Sequence, residues 1–350
     1  MKDTIKHGMH RIDEQFDKLT AQLSDRLLAD NRVHIHPYNG LGNSDQLYLR
    51  GRVLLDKQIA PADDQDSFLK NLLTTGQRIT SVEIPNTQVK AQIGGSTQVV
   101  TTDEEGFFEI EIENPGLPSD QYWHPIDLQL LDQAEEDRAT AVGRIMVPPA
   151  EAEFGVISDI DDTVLQSKVT NYLAAATLMF FKNAKTRLPF EGVAELYQAL
   201  HKNGRNPICY VSSSPWNLYA LLTDFFDYQG IPAGPLFLTD YGFSADQFIK
   251  PSHGTHKLDQ INKILSIYPN LQFILMGDSG QKDPEIYQKV IKRHPSRILA
   301  CMTRDVTNGR RDRTVAQIAE AVSSGKSKMI FTESTAEMKT YFQQQGWLEI

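Results

Sequence analysis

Cysteine, long apolar runs and an excess of basic charge are all missing from this chain of 350 residues. Only Cys209 and Cys301 are present, each inside an apolar run, so packing thiols in a reducing compartment are expected rather than a disulfide framework. No apolar run approaches the roughly 20 residues that span a bilayer. The start, Met1-Lys2-Asp3-Thr4-Ile5-Lys6-His7, has no apolar signal core. The expectation is a cytoplasmic protein, with peripheral contact at membranes left open. Acids outnumber bases 45 to 35, which disfavours nucleic acid as a global partner. No internal repeat or low-complexity segment stands out.

What is present divides the chain. Its length suits two domains, and 40% apolar content lets each bury a core. In residues 1–30, Ile5, Met9, Ile12, Phe16, Leu19, Leu23 and Leu27 recur every three or four positions, which predicts one amphipathic helix; its opposite face carries both charge signs, so packing on the protein or on a second subunit outweighs a membrane-surface role. Residues 31–150 change to period two, as in Val89, Ala91, Ile93, then Phe108, Ile110, Ile112, then Ile126, Leu128, Leu130. Turn signals such as Asp103-Glu104-Glu105-Gly106 separate these runs, predicting an antiparallel β-sandwich. Pro148-Pro149-Ala150-Glu151-Ala152-Glu153 reads as a linker.

Across residues 151–350 short apolar runs alternate with helical periodicity: 154–159, 208–212, 235–239, 273–277, 298–302 and 329–331. This order predicts an α/β fold with a three-layer parallel sheet and a ligand site at the strands' carboxyl ends.

The octamer Ile157-Ser158-Asp159-Ile160-Asp161-Asp162-Thr163-Val164 ends the first of these runs with two carboxylates one residue apart. Asp159 and Asp161 can both face one ligand where the strand unwinds, and clustered carboxylates resist ionisation unless a cation joins them. Oxygen ligands without His or Cys nearby favour Mg²⁺. On these residues alone a solvated Asp-rich turn is an equal reading. Two further runs end in polar residues, Ile208 to Ser212 and Phe273 to Asp278 with Asp283 close behind, and between them Lys257 opens a segment of helical periodicity.

Asp159-Ile160-Asp161-Asp162-Thr163, Ser212, Lys257, Asp278 and Asp283 together resemble, in order, the four motifs of the haloacid dehalogenase-like superfamily, and imply its Rossmann-like fold. The words around them, Tyr210-Val211-Ser212-Ser213-Ser214-Pro215-Trp216-Asn217-Leu218-Tyr219 and Gly277-Asp278-Ser279-Gly280-Gln281-Lys282-Asp283-Pro284-Glu285-Ile286-Tyr287, are similar to the actin-patch-associated phosphatidate phosphatase family. The resemblance implies a Mg²⁺-dependent phosphatase acting on phosphatidate or a related lipid phosphate. Asp159 would be the nucleophile, Asp161 the general acid, and Ser212 and Lys257 the phosphoryl-oxygen ligands. Asp159, Asp161 through its carbonyl, Asp278 and Asp283 would be the metal ligands. Thr101 to Ile110 is similar to transthyretin-like sandwiches, which says nothing of that region's partner.

Two other functions stay open: a phosphatase of soluble phosphomonoesters or phosphoproteins, and a partner-binding module without turnover. Tyr172 to Phe181, bordered by Lys182, Lys185 and Arg187, reads either as a lipid-facing cap or as packing over the sheet. Arg304, Arg310, Arg311 and Arg313 read as headgroup ligands or as a solvated loop. Lys250 rivals Lys257 as the phosphate lysine, and Trp216 either flanks the pocket or packs. The pairs His34/His36 and His253/His256 lack an evident third ligand for zinc.

Overall fold

The computed structural model describes residues 33–55, 82–133, 135, 138–164, 190–240, 253–306, 317–320, 322 and 327–348. The expected N-terminal helix, the 172–187 segment, Lys250, Arg310, Arg311 and Arg313 lie outside the described residues. The chain builds two sheets.

The first contains β1 (Val33–Pro37), β2 (Gly40–Gly42), β3 (Gln46–Leu55), β4 (Gln88–Ile93), β5 (Ser96–Thr101), β6 (Phe107–Glu113), β7 (Trp123–Leu130) and β8 (Thr140–Met146). Its order is β1-β3-β2-β8-β7-β4-β5, with β6 also on β3. The pairings are antiparallel except β2 with β8, which run parallel, a departure from the wholly antiparallel expectation. Alternation decides the faces: Phe108, Ile110 and Ile112 of β6 are buried while Glu109, Glu111 and Glu113 are exposed. Val89, Ala91, Ile126 and Leu128 join them in one apolar core. The turn before β6 is held by Asp103, whose side chain accepts from the Glu105 and Phe107 amides at 3.0 and 2.8 Å. Gly106 sits there at φ +76°, with no room for a Cβ against the Val53 carbonyl.

The second sheet is wholly parallel: β9 (Gly155–Ser158), β10 (Ile208–Pro215), β11 (Leu236–Thr239), β12 (Phe273–Asp278), β13 (Ile298–Arg304) and β14 (Lys328–Thr332). Its order is β11-β10-β9-β12-β13-β14, so chain direction across the sheet reverses between β9 and β12. Successive residues of these strands enter opposite cores, as the near-continuous apolar runs require. Val156, Tyr210, Met276 and Met302 face α1 (Val193–His201), α2 (Tyr219–Gln229) and α5 (Thr335–Gln344). Ile157, Cys209, Leu275 and Cys301 face α3 (His253–Ile267) and α4 (Asp283–Arg293). Both cysteines are buried and free.

Tyr38 of the loop after β1 stacks on Trp216 at 4.3 Å, and the Arg50 guanidinium lies 4.2 Å from the Phe107 ring and 5.1 Å from that of Trp216. Leu41, Tyr48 and Met146 of the first sheet enter the core that α3 and α4 cover. The two sheets are therefore packed against one another, and Trp216 is a packing residue.

Candidate active site

A reversal of strand order leaves a crevice at the carboxyl ends of the two strands that flank it. Here those ends carry Asp159, just after β9, and Asp278, the last residue of β12. The Asp159 amide donates to the Met276 carbonyl at 2.8 Å, tying the two ends together. Asp162 follows in the left-handed region at φ +55°, turning the chain so that Asp159 and Asp161 leave the sheet in close succession. Tyr197 and Ser158 hydroxyls meet at 2.6 Å beneath the turn, and Ser158 also donates to the Asp159 carbonyl at 2.6 Å.

Asp159, Asp278 and Asp283 each bring a carboxylate oxygen within 4.8 Å of the other two, and all three are buried. Lys257, on the first turns of α3, donates through Nζ to Asp159 Oδ1 at 2.9 Å and to Asp283 Oδ1 at 2.7 Å. Side-chain exposure of these three groups is 4% or less. Burial opposes the Lys257 charge, but the two carboxylates outweigh it and hold the ammonium above its usual range. Asp159 is pushed up by burial, against the pull of Lys257 and with the repulsion of Asp283 and Asp161 added. Burial and the Asp283 charge raise Asp278 to about 7, although its Oδ1 accepts from the Gly280 and Gln281 amides at 2.7 and 2.8 Å.

Among the described residues Asp159 Oδ2 and Asp278 Oδ2 are buried and accept no hydrogen bond. Three carboxylates against one ammonium, with two oxygens left over, fit an oxygen-liganded divalent cation.

Asp161 stands apart from that triad. Its Oδ2 accepts from Ser212 Oγ at 2.9 Å and from Ser214 Oγ at 3.1 Å, and the Ser214 amide donates to Ser212 Oγ at 2.9 Å. Thr239 Oγ1 donates to the Ser213 carbonyl at 2.9 Å, bracing the loop from β11. The structure thus brings together Asp159, Lys257, Asp278 and Asp283 in one cluster, and Asp161 with Ser212 in a second beside it.

Sequence reading did not single out Ser214, although it lies two residues beyond Ser212 and so on the same side of an extended chain. It also missed the need for glycine at 277. A Cβ there would fall 2.5 Å from Asp283 Oδ2 and 2.6 Å from the Tyr287 hydroxyl. Tyr287 donates to the Met276 carbonyl at 2.7 Å, fixing α4 and hence Asp283 against β12. Arg304 is the last residue of β13 and 3% exposed, which excludes the solvated-loop reading for that arginine.

Comparison with known proteins places this half of the chain. The family model described as Phosphatidate phosphatase APP1, catalytic domain, matches residues 154–305, the span that carries every site residue above. Residues 154–305 are similar to this catalytic-domain family. Phosphatidate phosphatase APP1 of Saccharomyces cerevisiae is 31% identical over 246 residues, 67% of this chain and 41% of the yeast protein. Uncharacterized protein C29B5.04c of Schizosaccharomyces pombe is 28% identical over 212 residues, 59% of this chain and 34% of that protein. The chain therefore spans about two-fifths or less of the length of these two relatives. A solved carbohydrate acetylesterase from Xanthomonas citri aligns over 87% of this chain and 67% of its own at 11% identity and a TM-score of 0.30, a likeness that carries no argument.

Proposed function

We propose that the chain is a Mg²⁺-dependent phosphomonoesterase that works through an aspartyl-phosphate and acts on phosphatidate or a related lipid phosphate. One observation carries the reading: the Asp159, Asp278 and Asp283 cluster bridged by Lys257 at the strand-order reversal, inside the APP1 catalytic-domain match. The substrate class comes from the likeness to the yeast phosphatidate phosphatase. The strand order and the helices on both faces support a haloacid dehalogenase-like three-layer domain over 151–350, with 31–150 as a β-sandwich domain.

Asp159, Asp278 and Asp283 side chains, with the Asp161 carbonyl, would hold the cation, which when bound would offset the repulsion between carboxylate and phosphate. Asp159 attacks phosphorus as the phosphorus–alkoxide bond breaks, and Asp161 gives its proton to the departing oxygen. Asp161 then takes a proton from water as that water attacks the aspartyl-phosphate, releasing phosphate and restoring Asp159. Ser212 and Ser214 both donate to Asp161 in the free site, and when substrate binds the Ser212 proton turns to a phosphoryl oxygen while Ser214 keeps Asp161 oriented. Lys257 keeps Asp159 and Asp283 in place and supplies fixed positive charge.

The test is an assay of the purified protein with Mg²⁺ against dispersed phosphatidate and a panel of soluble phosphate esters. Mg²⁺-dependent release from phosphatidate is expected; preference for soluble esters would move the substrate class to the alternative, and no turnover on any ester would leave a binding module.

A further inference from the structure

Arg304 is a buried cation with no ion pair among the described residues. It ends β13, in register with Asp278 on one side and with Thr332 of β14 on the other, and its carbonyl accepts from the Ser279 amide at 2.9 Å. Nη2 donates to Thr335 Oγ1 at 3.0 Å, and the guanidinium lies 3.9 Å from the centre of the Phe190 ring. Nε is buried and unpartnered among the described residues, as is the hydroxyl of Thr332, itself only 5% exposed.

In-register neighbours of a parallel sheet point to the same face. The two unpartnered donors therefore lie on one face, and Asp278, in register on the other side of Arg304, faces the same way without forming an ion pair with it. No described carboxylate forms an ion pair with the guanidinium. Thr335 opens α5, whose first turn adds partial positive charge. The cap of α5 is closed on itself, because Ser334 Oγ accepts from the Glu337 amide and Glu337 accepts from the Glu333 amide. An unpaired buried cation is costly, and one aromatic face offsets only part of that cost.

We propose that Arg304, with the Thr332 hydroxyl beside it, is an anion-binding position at the carboxyl edge of the parallel sheet, one strand over from Asp278, that takes a phosphate, sulfate or carboxylate group. It deepens the phosphatase reading by giving an anionic group of substrate or product a contact outside the metal cluster. Binding there needs no turnover.

Isothermal titration of the full chain with sulfate in EDTA, at ionic strength held constant with chloride, reads this position. Lys339→Met, at an exposed position of α5, should keep the wild-type affinity within about threefold, whereas Arg304→Gln should lose about tenfold or more and Arg304→Lys less, since a point charge replaces a planar fork. Wild-type affinity in Arg304→Gln, or no sulfate binding by the wild-type chain, would overturn the proposal. If Arg304→Gln does not fold, hydrogen exchange of the wild-type chain decides: sulfate should protect residues 298–305, and equal exchange in sulfate and chloride overturns it. Competition by short-chain phosphatidate in the same titration would assign the position to the lipid headgroup; competition by inorganic phosphate alone would assign it to free phosphate. A chain that binds sulfate through Arg304 yet hydrolyses no phosphate ester would keep this inference and lose the phosphatase reading.

Discussion

The two sheets handle charge in opposite ways. In the first, the acids of β6 stay on the wet face: Glu109, Glu111 and Glu113 alternate outward, Lys263 meets Glu109 at 3.1 Å with both side chains partly exposed, and the buried Arg52 of β3 reaches out to the exposed Glu83 at 2.9 Å. Such pairs contribute about 1 kcal/mol or less. In the second sheet every residue of β12 is buried, and Lys257, Asp159 and Asp283 meet at its edge almost without solvent. Buried charges of that kind lower stability unless a partner neutralises them. The difference teaches where to look for chemistry, because a fold keeps such groups at a cost to stability only when something binds there.

Removing the nucleophile's charge tests the contrast most severely. Asp159→Asn should lower turnover by at least about a thousandfold with far-ultraviolet circular dichroism unchanged. Residual activity within tenfold of wild type would end the assignment. Asp161→Asn should slow esters with poor leaving groups far more than aryl phosphates, and equal losses on both would count against its role as acid.

Gly277→Ala is the next largest. The added methyl would press on Asp283 and Tyr287, so activity at saturating Mg²⁺ should fall about tenfold or more, while a methyl at Gly95, at φ +91° in the β4–β5 turn with open space around it, should cost stability but leave activity unchanged. Comparable activity in both variants would show that Asp283 tolerates displacement.

Asp278 turns the comparison into a stability measurement. Its folded value of about 7 lies above its ordinary 3.8, so the metal-free fold holds this proton more tightly than the unfolded chain. That contribution is fully present below about pH 4 and is lost as pH rises through about 7. Asp278→Asn should therefore raise the melting temperature of the EDTA-treated protein at pH 8, remove this part of its pH dependence, and abolish stabilisation by Mg²⁺. A lower melting temperature for the variant at pH 8 would contradict the buried-charge account.

The first sheet should show the ordinary pattern. Ile110→Ala opens a cavity in the fully buried core and should cost about 2–5 kcal/mol, whereas Glu113→Ala on the exposed face should change stability by less than about 0.5 kcal/mol in a urea titration.

Much of this was legible in the sequence. The parallel strands announced themselves as continuous apolar runs, and five of the six lie within two residues of their expected ends. The exception, the run expected over 208–212, extends to Pro215 and thereby carries Ser214 to Asp161. Period-two alternation marked β4, β6 and β7 because only one face of that sheet is covered. The resemblance in motif order named Asp159, Asp161, Ser212, Lys257, Asp278 and Asp283, and the fold brings Asp159, Lys257, Asp278 and Asp283 together and Asp161 to Ser212.

What the sequence by itself determined is therefore local: which segments are strands or helices, which faces are apolar, and which polar residues stand at their ends. Only the tertiary structure decided who meets whom. Lys257 reaches Asp159 across 98 positions because β9 and β12 are neighbours and α3 packs on their shared face. Arg304 lost its water because α5 and Phe190 close over β13, and Tyr38 found Trp216 because the two sheets pack together. Periodicity reports burial along one element, whereas convergence depends on strand order and on which elements share a core, and no local pattern encodes that.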